Sequence, residues 1–275
     1  MMSNVERRPL GASGLDVPVV GMGTWKTFDV SRPTDEAQRR TVVDVALETG
    51  SNLFDASPMY GNAERVLGAA LAGRREQALV ATKVWTSDDR AAEAQIEAAL
   101  GYFGGLIDLY QVHNLVAWQK RLARLERLRD AGTVKAIGIT HYVHSAFPEM
   151  IEIMRSGRVT AIQIPYNALD RVVEQTVLPV AADLGIGVLV MRPLGQGELA
   201  ASSPPADQLA PLAPFGVRTW AQALLKWLLS DPRVSTVVPA TREPEHARQN
   251  AEAGSPPWFG HDEREYVVRL AQQRR

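Results

Sequence analysis

The chain has 275 residues, of which 45% are hydrophobic and 22% charged, and its formal net charge is −1. This length and composition are typical of a globular protein that can bury a large core, and the near-neutral charge argues against a nucleic-acid or anionic-membrane partner. Because cysteine is absent, disulfides, thiol catalysis and cysteine-ligated metal sites are excluded.

Eight short apolar segments rich in β-branched residues recur along the chain and are predicted to be strands. Several are almost continuously hydrophobic, which is typical of strands buried on both faces of a parallel sheet. The predicted strands cover residues 19–23, 52–56, 78–83, 106–113, 134–140, 161–167, 187–193 and 235–241.

Segments with apolar residues three and four positions apart lie between these strands and are predicted to be helices. Several end at a glycine or another turn signal, as helices commonly do. The predicted helices cover residues 34–48, 64–71, 91–102, 118–129, 147–155, 173–183 and 220–229, and a short last helix covers 262–275.

Eight strands that alternate with helices over this length predict a (β/α)8 barrel, the TIM-barrel fold, as one domain over residues 1–275. The alternative is an open doubly wound sheet, but its glycine-rich phosphate turn is missing, because Gly21-Met22-Gly23 lacks a third glycine. Residues 8–20 are expected to form an N-terminal β-hairpin at the bottom of the barrel. Residues 194–216, rich in Pro, Gly and Ala, are expected to form a long loop and the best candidate for a mobile flap.

Polar residues end several predicted strands, where a barrel places its active site. Asp55 ends the second strand and Tyr60 follows it; Lys83 ends the third strand and His113 the fourth. A nearby Lys⁺ would lower the pKa of a tyrosine from near 10 toward the working range, and a carboxylate would keep that lysine charged. These residues therefore predict Tyr60 as a general acid/base for a carbonyl oxygen, tuned by Lys83 and Asp55, with His113 orienting the carbonyl.

From end to end, the chain resembles the aldo-keto reductase family. The resemblance is carried by residues 8–25, 54–68, 81–84, 108–114, 136–140, 162–167, 192–197 and 238–250. Asp55, Tyr60, Lys83 and His113 match the family's catalytic tetrad in order and spacing. The resemblance implies a reversible reduction of aldehydes or ketones to alcohols, in which NADP(H) exchanges the hydride.

The resemblance also implies a set of cofactor contacts across the barrel mouth. Arg242 is expected to bind the 2′-phosphate and to favour NADPH, since it lies just before Pro244, which opens a helix. Arg192 is expected either to touch a cofactor phosphate or to form a local ion pair. The full set of expected contacts is Gly23, Thr24, Trp25, Asp55, Thr140, His141, Gln163, Met191, Arg192, Pro193, Leu194, Gly195, Gly197, Thr241, Arg242, Gln249 and Asn250.

Three of these neighbourhoods depart from the family's common pattern. His141 stands where asparagine is usual, Met191 where an aromatic ring often stacks on the nicotinamide, and Ala240 where a basic residue is common. His141 and His144 have no third ligand near them in sequence, so no metal site is predicted. Trp25 and Trp85 are expected to contribute an apolar wall to the substrate pocket.

Two other functions fit parts of the pattern. One is a nicotinamide-binding regulatory or interaction subunit with little turnover, and the other is a different barrel enzyme, such as a phosphate-ester isomerase. The expected partner is a small carbonyl or alcohol substrate, with no nucleic acid and no membrane, and the family default is a monomer. The N-terminal residues show no apolar signal segment and no apolar run reaches membrane-spanning length, so we expect a cytoplasmic protein.

Overall fold

The computed structural model describes residues 5–274, so the ends of the predicted domain, Met1 to Asn4 and Arg275, lie outside the described residues. The described chain begins with the predicted antiparallel hairpin, formed by β1 (Arg7–Pro9) and β2 (Asp16–Pro18). Eight parallel strands then form one sheet in chain order. They are β3 (Met22–Gly23), β4 (Leu53–Asp55), β5 (Leu79–Val84), β6 (Ile107–His113), β7 (Val134–Thr140), β8 (Ala161–Pro165), β9 (Gly187–Met191) and β10 (Thr236–Val237).

Isolated parallel bridges join the first and last strands of this sheet and bring it close to a closed barrel. Val20 pairs with Val237, and Gly23 pairs with Ala240. Every predicted strand is present, and the predicted (β/α)8 barrel is confirmed. The predicted strands at 19–23 and 235–241 are each shorter than expected, with two residues in the sheet, Met22–Gly23 and Thr236–Val237.

Helices surround the barrel and bury their apolar faces against the outside of the sheet. In residues 5–274, no helix is both long and apolar enough to cross a membrane. The helices are α1 (Pro33–Thr49), α2 (Ala63–Ala70), α3 (Asp89–Tyr102), α4 (Trp118–Asp130), α5 (Phe147–Arg155), α6 (Val177–Asp183), α7 (Glu198–Ala201), α8 (Ala206–Leu209), α9 (Trp220–Leu229), α10 (Pro244–Glu252) and α11 (His261–Gln272).

Two predicted elements differ from the structure. The single helix predicted at 173–183 is wrong, because a 3-10 helix (Val172–Gln175) precedes α6 and Thr176 between them has a ψ of −77°. β-branched residues, which are weak helix formers, flank this break at Val173, Thr176 and Val177. The irregular loop predicted at 194–216 instead contains short helical turns, and Trp220 Nε1 anchors it by donating to the Leu199 carbonyl at 2.8 Å. Its role as a mobile flap stays a prediction.

The hairpin closes the bottom of the barrel. Leu10 and Val17 are fully buried in a cluster with the inward side chains at the lower ends of the strands. Gly11 bridges to Ile186, and an added Cβ at Gly11 would lie 2.2 Å from the backbone nitrogen of Gly187. With a φ of +54°, this position requires glycine both for its conformation and for its space.

Side-chain alternation along the strands places the polar groups inside the upper half of the barrel. Successive residues of a strand point to opposite faces, so Leu53 and Asp55 both point inward, as do Ala81 and Lys83. The lower residue of each pair belongs to the apolar cluster at the bottom. The upper residue of each pair, Asp55 or Lys83, lies two positions nearer the carboxyl end of its strand and therefore nearer the barrel mouth.

Candidate active site

A cavity of about 560 Å³ opens at the carboxyl ends of the barrel strands, which is where barrel enzymes place their active sites. Twelve of the predicted site residues line it: Gly23, Thr24, Trp25, Asp55, Tyr60, His113, Gln163, Met191, Arg192, Pro193, Leu194 and Gly197. The remaining lining residues were not among the predicted contacts: Lys26, Thr27, Met59, Asn114, Tyr142, Gln196, Val238, Pro239 and Ala240.

Lys83 and Asp55 form a buried ion pair beneath this cavity. The Lys83 Nζ donates to both carboxylate oxygens of Asp55 at 2.8 Å and to the Ala56 carbonyl at 2.7 Å. Lys83 is 0% exposed and Asp55 is 3% exposed. Burial lowers the pKa of Lys83, but Asp55 and Tyr60 together raise it by more, so the lysine stays charged.

Tyr60 lies at the end of the 3-10 helix Pro58–Tyr60, which follows β4 directly. Gly61 ends this turn with a φ of +61°, and a Cβ there would overlap the carboxylate of Asp29, so only glycine fits. Lys83 Nζ lies 5.0 Å from the centroid of the Tyr60 ring. Tyr60 therefore reaches the charged lysine from the loop while Asp55 holds that lysine from the strand.

The net pKa of Tyr60 differs from the predicted direction. Burial is the largest influence and raises the pKa above its usual value; the charge of Lys83 lowers it, and Asp55 raises it. The expected tuning by Lys83 is present, but the expected approach of the pKa to the working range is wrong, because desolvation of the phenolate outweighs the ammonium. Tyr60 consequently keeps its proton at neutral pH, as a proton donor must.

His113 ends β6 beside Tyr60. The two ring centroids lie 5.8 Å apart at an interplanar angle of 89°. Its Nδ1 lies 3.0 Å from the Oγ of Ser57, a fully buried residue. Burial, the positive charge of Lys83 and His141 together lower the pKa of His113 to about 3. The imidazole is therefore neutral at physiological pH, so it can orient an oxygen by one hydrogen bond but does not carry a charge.

Asn114 and Gln163 line the cavity, and each has a buried side-chain oxygen, Oδ1 and Oε1, without a hydrogen-bond partner within residues 5–274. Thr140 Oγ1 also lacks a partner, although Thr140 does not line the cavity as predicted. Thr140 and Gln163 pair across β7 and β8 in the sheet register. Buried polar atoms in native proteins are normally satisfied, so the adjacent oxygens of Thr140 and Gln163 are available to bind a ligand or a water molecule. A hydroxyl and an amide oxygen side by side suit a ligand that carries an amide group.

His141 does not line the cavity. Its Nδ1 accepts a hydrogen bond from the Val143 backbone N–H at 3.0 Å, and its ring stacks on Tyr142 with centroids 5.6 Å apart. Tyr142, which was not predicted, lines the cavity instead. A ligand contact by the His141 side chain stays a prediction.

Cationic and conformationally strained residues collect at the rim of the cavity. Lys26, Asn114, Arg192 and Gln196 line it, and each has a φ between 51° and 61°. Non-glycine residues rarely adopt this conformation, and it concentrates at functional sites. Arg192 packs over Tyr142 at 4.7 Å. It has no carboxylate partner among the described residues, so of its two expected roles the local ion pair is not seen and the phosphate contact stays a prediction.

Four of the predicted cofactor contacts, Thr241, Arg242, Gln249 and Asn250, lie outside the cavity, just before α10 or on it. Arg242 is exposed and its Nε is 3.5 Å from Glu243. Thr241 Oγ1 accepts from the Glu243 N–H at 3.1 Å, and Gln249 donates to Glu245 within the helix. Asn250 lies buried on the same helix. Whether these four residues contact the cofactor stays a prediction.

Three further predictions concern residues near the mouth. Gly195 does not line the cavity. Trp85 is not a lining residue either, although its ring lies 6.5 Å from that of His113 and is 40% exposed. His144 pairs with Asp170 at 3.0 Å, and the described residues contain no group of three or more histidine, aspartate or glutamate side chains that could hold a metal ion.

Known proteins are similar to this chain over most of its length. The model of the Aldo/keto reductase family matches residues 19–258. Methylglyoxal reductase YeaE of Escherichia coli (strain K12) is 28% identical over 248 residues, which cover 86% of this chain and 85% of that protein. The NADH-specific methylglyoxal reductase of the same organism is 30% identical over 232 residues, covering 71% and 69%. The holo form of an aldo-keto reductase from Bacillus halodurans superposes with a TM-score of 0.81 at 25% identity, covering 97% of this chain and 96% of that chain.

Proposed function

Because the chain belongs to the aldo/keto reductase family, we propose that it catalyses the reversible, NADPH-dependent reduction of small aldehydes or ketones to alcohols. One observation carries this proposal. At the cavity a protonated phenol, a buried ammonium anchored by a carboxylate and a neutral imidazole meet: Tyr60, Lys83, Asp55 and His113.

Tyr60 donates the proton in the direction of reduction. As hydride reaches the carbonyl carbon, negative charge develops on the oxygen, and the phenol proton moves to that oxygen. The Lys83 ammonium stabilises the phenolate left behind, and Asp55 keeps Lys83 charged and in place. In the oxidation direction Tyr60 must first lose its proton, so a raised pKa makes oxidation, but not reduction, depend on alkaline pH.

His113 orients the substrate. As a neutral ring it offers a hydrogen bond to the carbonyl oxygen without competing with Tyr60 as a strong acid. A donor placed where negative charge develops is worth about 10²–10³ in rate in other enzymes. His113 and Tyr60 together would hold the carbonyl oxygen at one end of the cavity.

The residues present fit a nicotinamide cofactor. NADPH, when bound, supplies the hydride. The unsatisfied atoms of Thr140 and Gln163 suit its carboxamide, the Met191 thioether offers a polarizable contact for the ring, and Arg192 suits its phosphates. Lys26 at the rim adds a second cation for the same phosphates.

The choice of NADPH over NADH depends on Arg242. Its exposed guanidinium precedes the N-terminus of α10, a suitable place for a 2′-phosphate. Ala240 offers no second cation at the cavity edge. One relative is named as NADH-specific, so both dinucleotides are to be compared directly.

The substrate proposed for first trial is methylglyoxal, because two relatives are named as methylglyoxal reductases. The cavity also has apolar lining from Trp25, Met59 and Tyr142, which favours an aromatic aldehyde such as 4-nitrobenzaldehyde as the second substrate. The values of kcat/KM for methylglyoxal and 4-nitrobenzaldehyde are to be compared directly.

The test follows NADPH consumption over an aldehyde panel that includes both compounds. Tyr60→Phe is expected to lower kcat by at least about 10² while NADPH binding is retained. Tyr102→Phe is the matched control, since Tyr102 is half exposed and does not line the cavity. Unchanged activity in Tyr60→Phe would refute the assigned role.

The same measurements separate the two alternatives. NADPH binding in a fluorescence titration without turnover of any aldehyde favours a regulatory or interaction subunit. A chain that binds neither NADPH nor NADH is instead consistent with a different barrel enzyme, such as a phosphate-ester isomerase.

A further inference from the structure

Ser57 lies between Asp55 and Tyr60 and has no part in the mechanism described above. It is 0% exposed and precedes the 3-10 helix Pro58–Tyr60. Its Oγ accepts the Met59 backbone N–H at 3.2 Å, so the helix start holds this oxygen in place. The same Oγ lies 3.0 Å from His113 Nδ1.

The hydrogen bonds available to Ser57 Oγ distinguish the two neutral tautomers of His113, with the proton on Nδ1 or on Nε2. A serine hydroxyl has one donor hydrogen and two acceptor sites. If Nδ1 carried the imidazole proton, Ser57 Oγ would accept from both Nδ1 and Met59, and its own hydrogen would need another acceptor. None is within hydrogen-bonding distance among the described residues, so a buried donor would remain unsatisfied.

The other form satisfies every group. Ser57 Oγ–H donates to an unprotonated Nδ1, and Oγ accepts from Met59. The imidazole proton then sits on Nε2, which makes no hydrogen bond within residues 5–274, while the His113 ring lines the cavity. Because an unpaired buried donor is costly, the Nε2–H form of His113 is favoured over the Nδ1–H form.

We propose that Ser57 is a positioning residue that fixes His113 in the Nε2–H form and so aims a hydrogen-bond donor at the substrate oxygen. Ser57 touches neither substrate nor cofactor in this scheme. Besides capping the 3-10 helix that carries Tyr60, it acts through the ring of His113. Since Ser57 sits in the same short segment as Asp55 and Tyr60, one loop positions the proton donor, the anchor of Lys83 and the orienting group.

Nitrogen-15 NMR of the histidine side chains tests this directly, because protonated and unprotonated ring nitrogens have well-separated shifts. The chain has five histidines, so the signals of His113 are assigned as those that are missing from the spectrum of His113→Asn. Wild type is expected to show one neutral form with unprotonated Nδ1. Ser57→Ala is expected to show a mixture or the opposite form, and Ser57→Thr, which keeps the hydroxyl, is expected to restore the wild-type form.

Wild-type signals from an Nδ1–H ring would overturn the proposal, and this result requires no variant to fold. An unchanged single Nε2–H form in Ser57→Ala would overturn it as well. Ser156→Ala is the matched control, because Ser156 Oγ donates only to a backbone carbonyl at the end of α5, and it should leave the His113 signals unchanged.

The kinetic readout rests on the proposed function. Ser57→Ala is expected to lower kcat for carbonyl reduction about tenfold, less than the loss of the donor itself would, with the Kd for NADPH unchanged. Ser57→Thr should recover most of kcat. An unchanged kcat in Ser57→Ala would overturn the proposal, whereas a wild type without any turnover removes the proposed function and leaves the NMR result standing.

Discussion

The buried ion pair between Lys83 and Asp55 makes a quantitative prediction. In Asp55→Asn, the ammonium keeps the Ala56 carbonyl as an acceptor but loses the carboxylate that faces it at 2.8 Å through both oxygens. Lys83 is 0% exposed, so water does not solvate its ammonium in place of the lost carboxylate. Removing one member of a buried pair destabilises proteins by about 3–5 kcal/mol. Because asparagine retains one acceptor oxygen, we expect the lower value, about 3 kcal/mol.

Thermal and urea unfolding measure this loss. About 3 kcal/mol in a chain of this size corresponds to a fall in Tm of roughly 6–12 °C. Burial lowers the pKa of Lys83 and the carboxylate opposes this, so the folded-state pKa of Lys83 falls in Asp55→Asn. The loss of stability in Asp55→Asn is therefore present at pH values below the pKa of lysine in the unfolded chain, near 10, and it diminishes as the pH rises toward that value.

Two controls decide whether the charge pair is the cause. Asp35→Asn removes the carboxylate of the exposed Arg32–Asp35 pair and should change the free energy of unfolding far less than Asp55→Asn does, because solvent screens exposed ion pairs. The double variant Asp55→Asn/Lys83→Met removes both buried charges and should lose less stability than the sum of the single variants. Additive losses, or a loss in Asp55→Asn as small as in Asp35→Asn, would refute this reasoning.

Three other predictions concern separate parts of the chain. Burial raises the pKa of Glu64 to about 7, so the stabilising contribution of its protonated form is present below about pH 4.5 and is lost as the pH rises through 7. Between pH 4.5 and pH 8, the free energy of unfolding of Glu64→Gln, measured in urea, should therefore rise by about 3 kcal/mol relative to that of wild type. A difference that stays constant over this pH range would contradict the prediction. Gly11→Ala should lower the Tm well below that of Gly14→Ala, since both have positive φ but only Gly11 has backbone atoms within 3 Å of the added Cβ; equal losses would contradict this. Arg242→Ala should raise the Kd for NADPH about tenfold and leave that for NADH unchanged in fluorescence titrations, whereas equal changes would show no 2′-phosphate contact.

Much of the fold is predictable from sequence because a buried parallel strand leaves a strong local signal. Runs such as residues 134–140 are nearly continuously apolar and β-branched, and each of the eight predicted runs is a strand. The break at Thr176 is harder to predict, because the helical spacing of apolar residues continues across it. Spacing reports which face is buried, whereas the backbone conformation of one β-branched residue depends on its neighbours in the fold.

The candidate site is also predictable from the sequence only in part. Asp55, Tyr60 and His113 line one cavity, as strand ends in a barrel predict, with Lys83 buried beneath Asp55. Gln111, which donates to Asp55 Oδ1 at 3.3 Å, was missed although it lies two residues before His113 and thus points to the same face. The net pKa of Tyr60 was mispredicted because the extent of its burial is a tertiary property. The orientation of His141 depends on a loop hydrogen bond that composition does not show.

The segment from Asp55 to Tyr60 connects the four side chains to which we assign catalytic roles. Asp55 and the carbonyl of Ala56 both accept from Lys83, and Ser57 contacts His113. Residues on β5 and β6 are therefore each held by this one segment after β4. A change in its backbone would move the proton donor, the ammonium and the imidazole at once, whereas a change in β5 or β6 alone would move only one of them. Substitutions that alter the backbone here, such as Gly61→Ala, should therefore impair catalysis more than their effect on stability suggests.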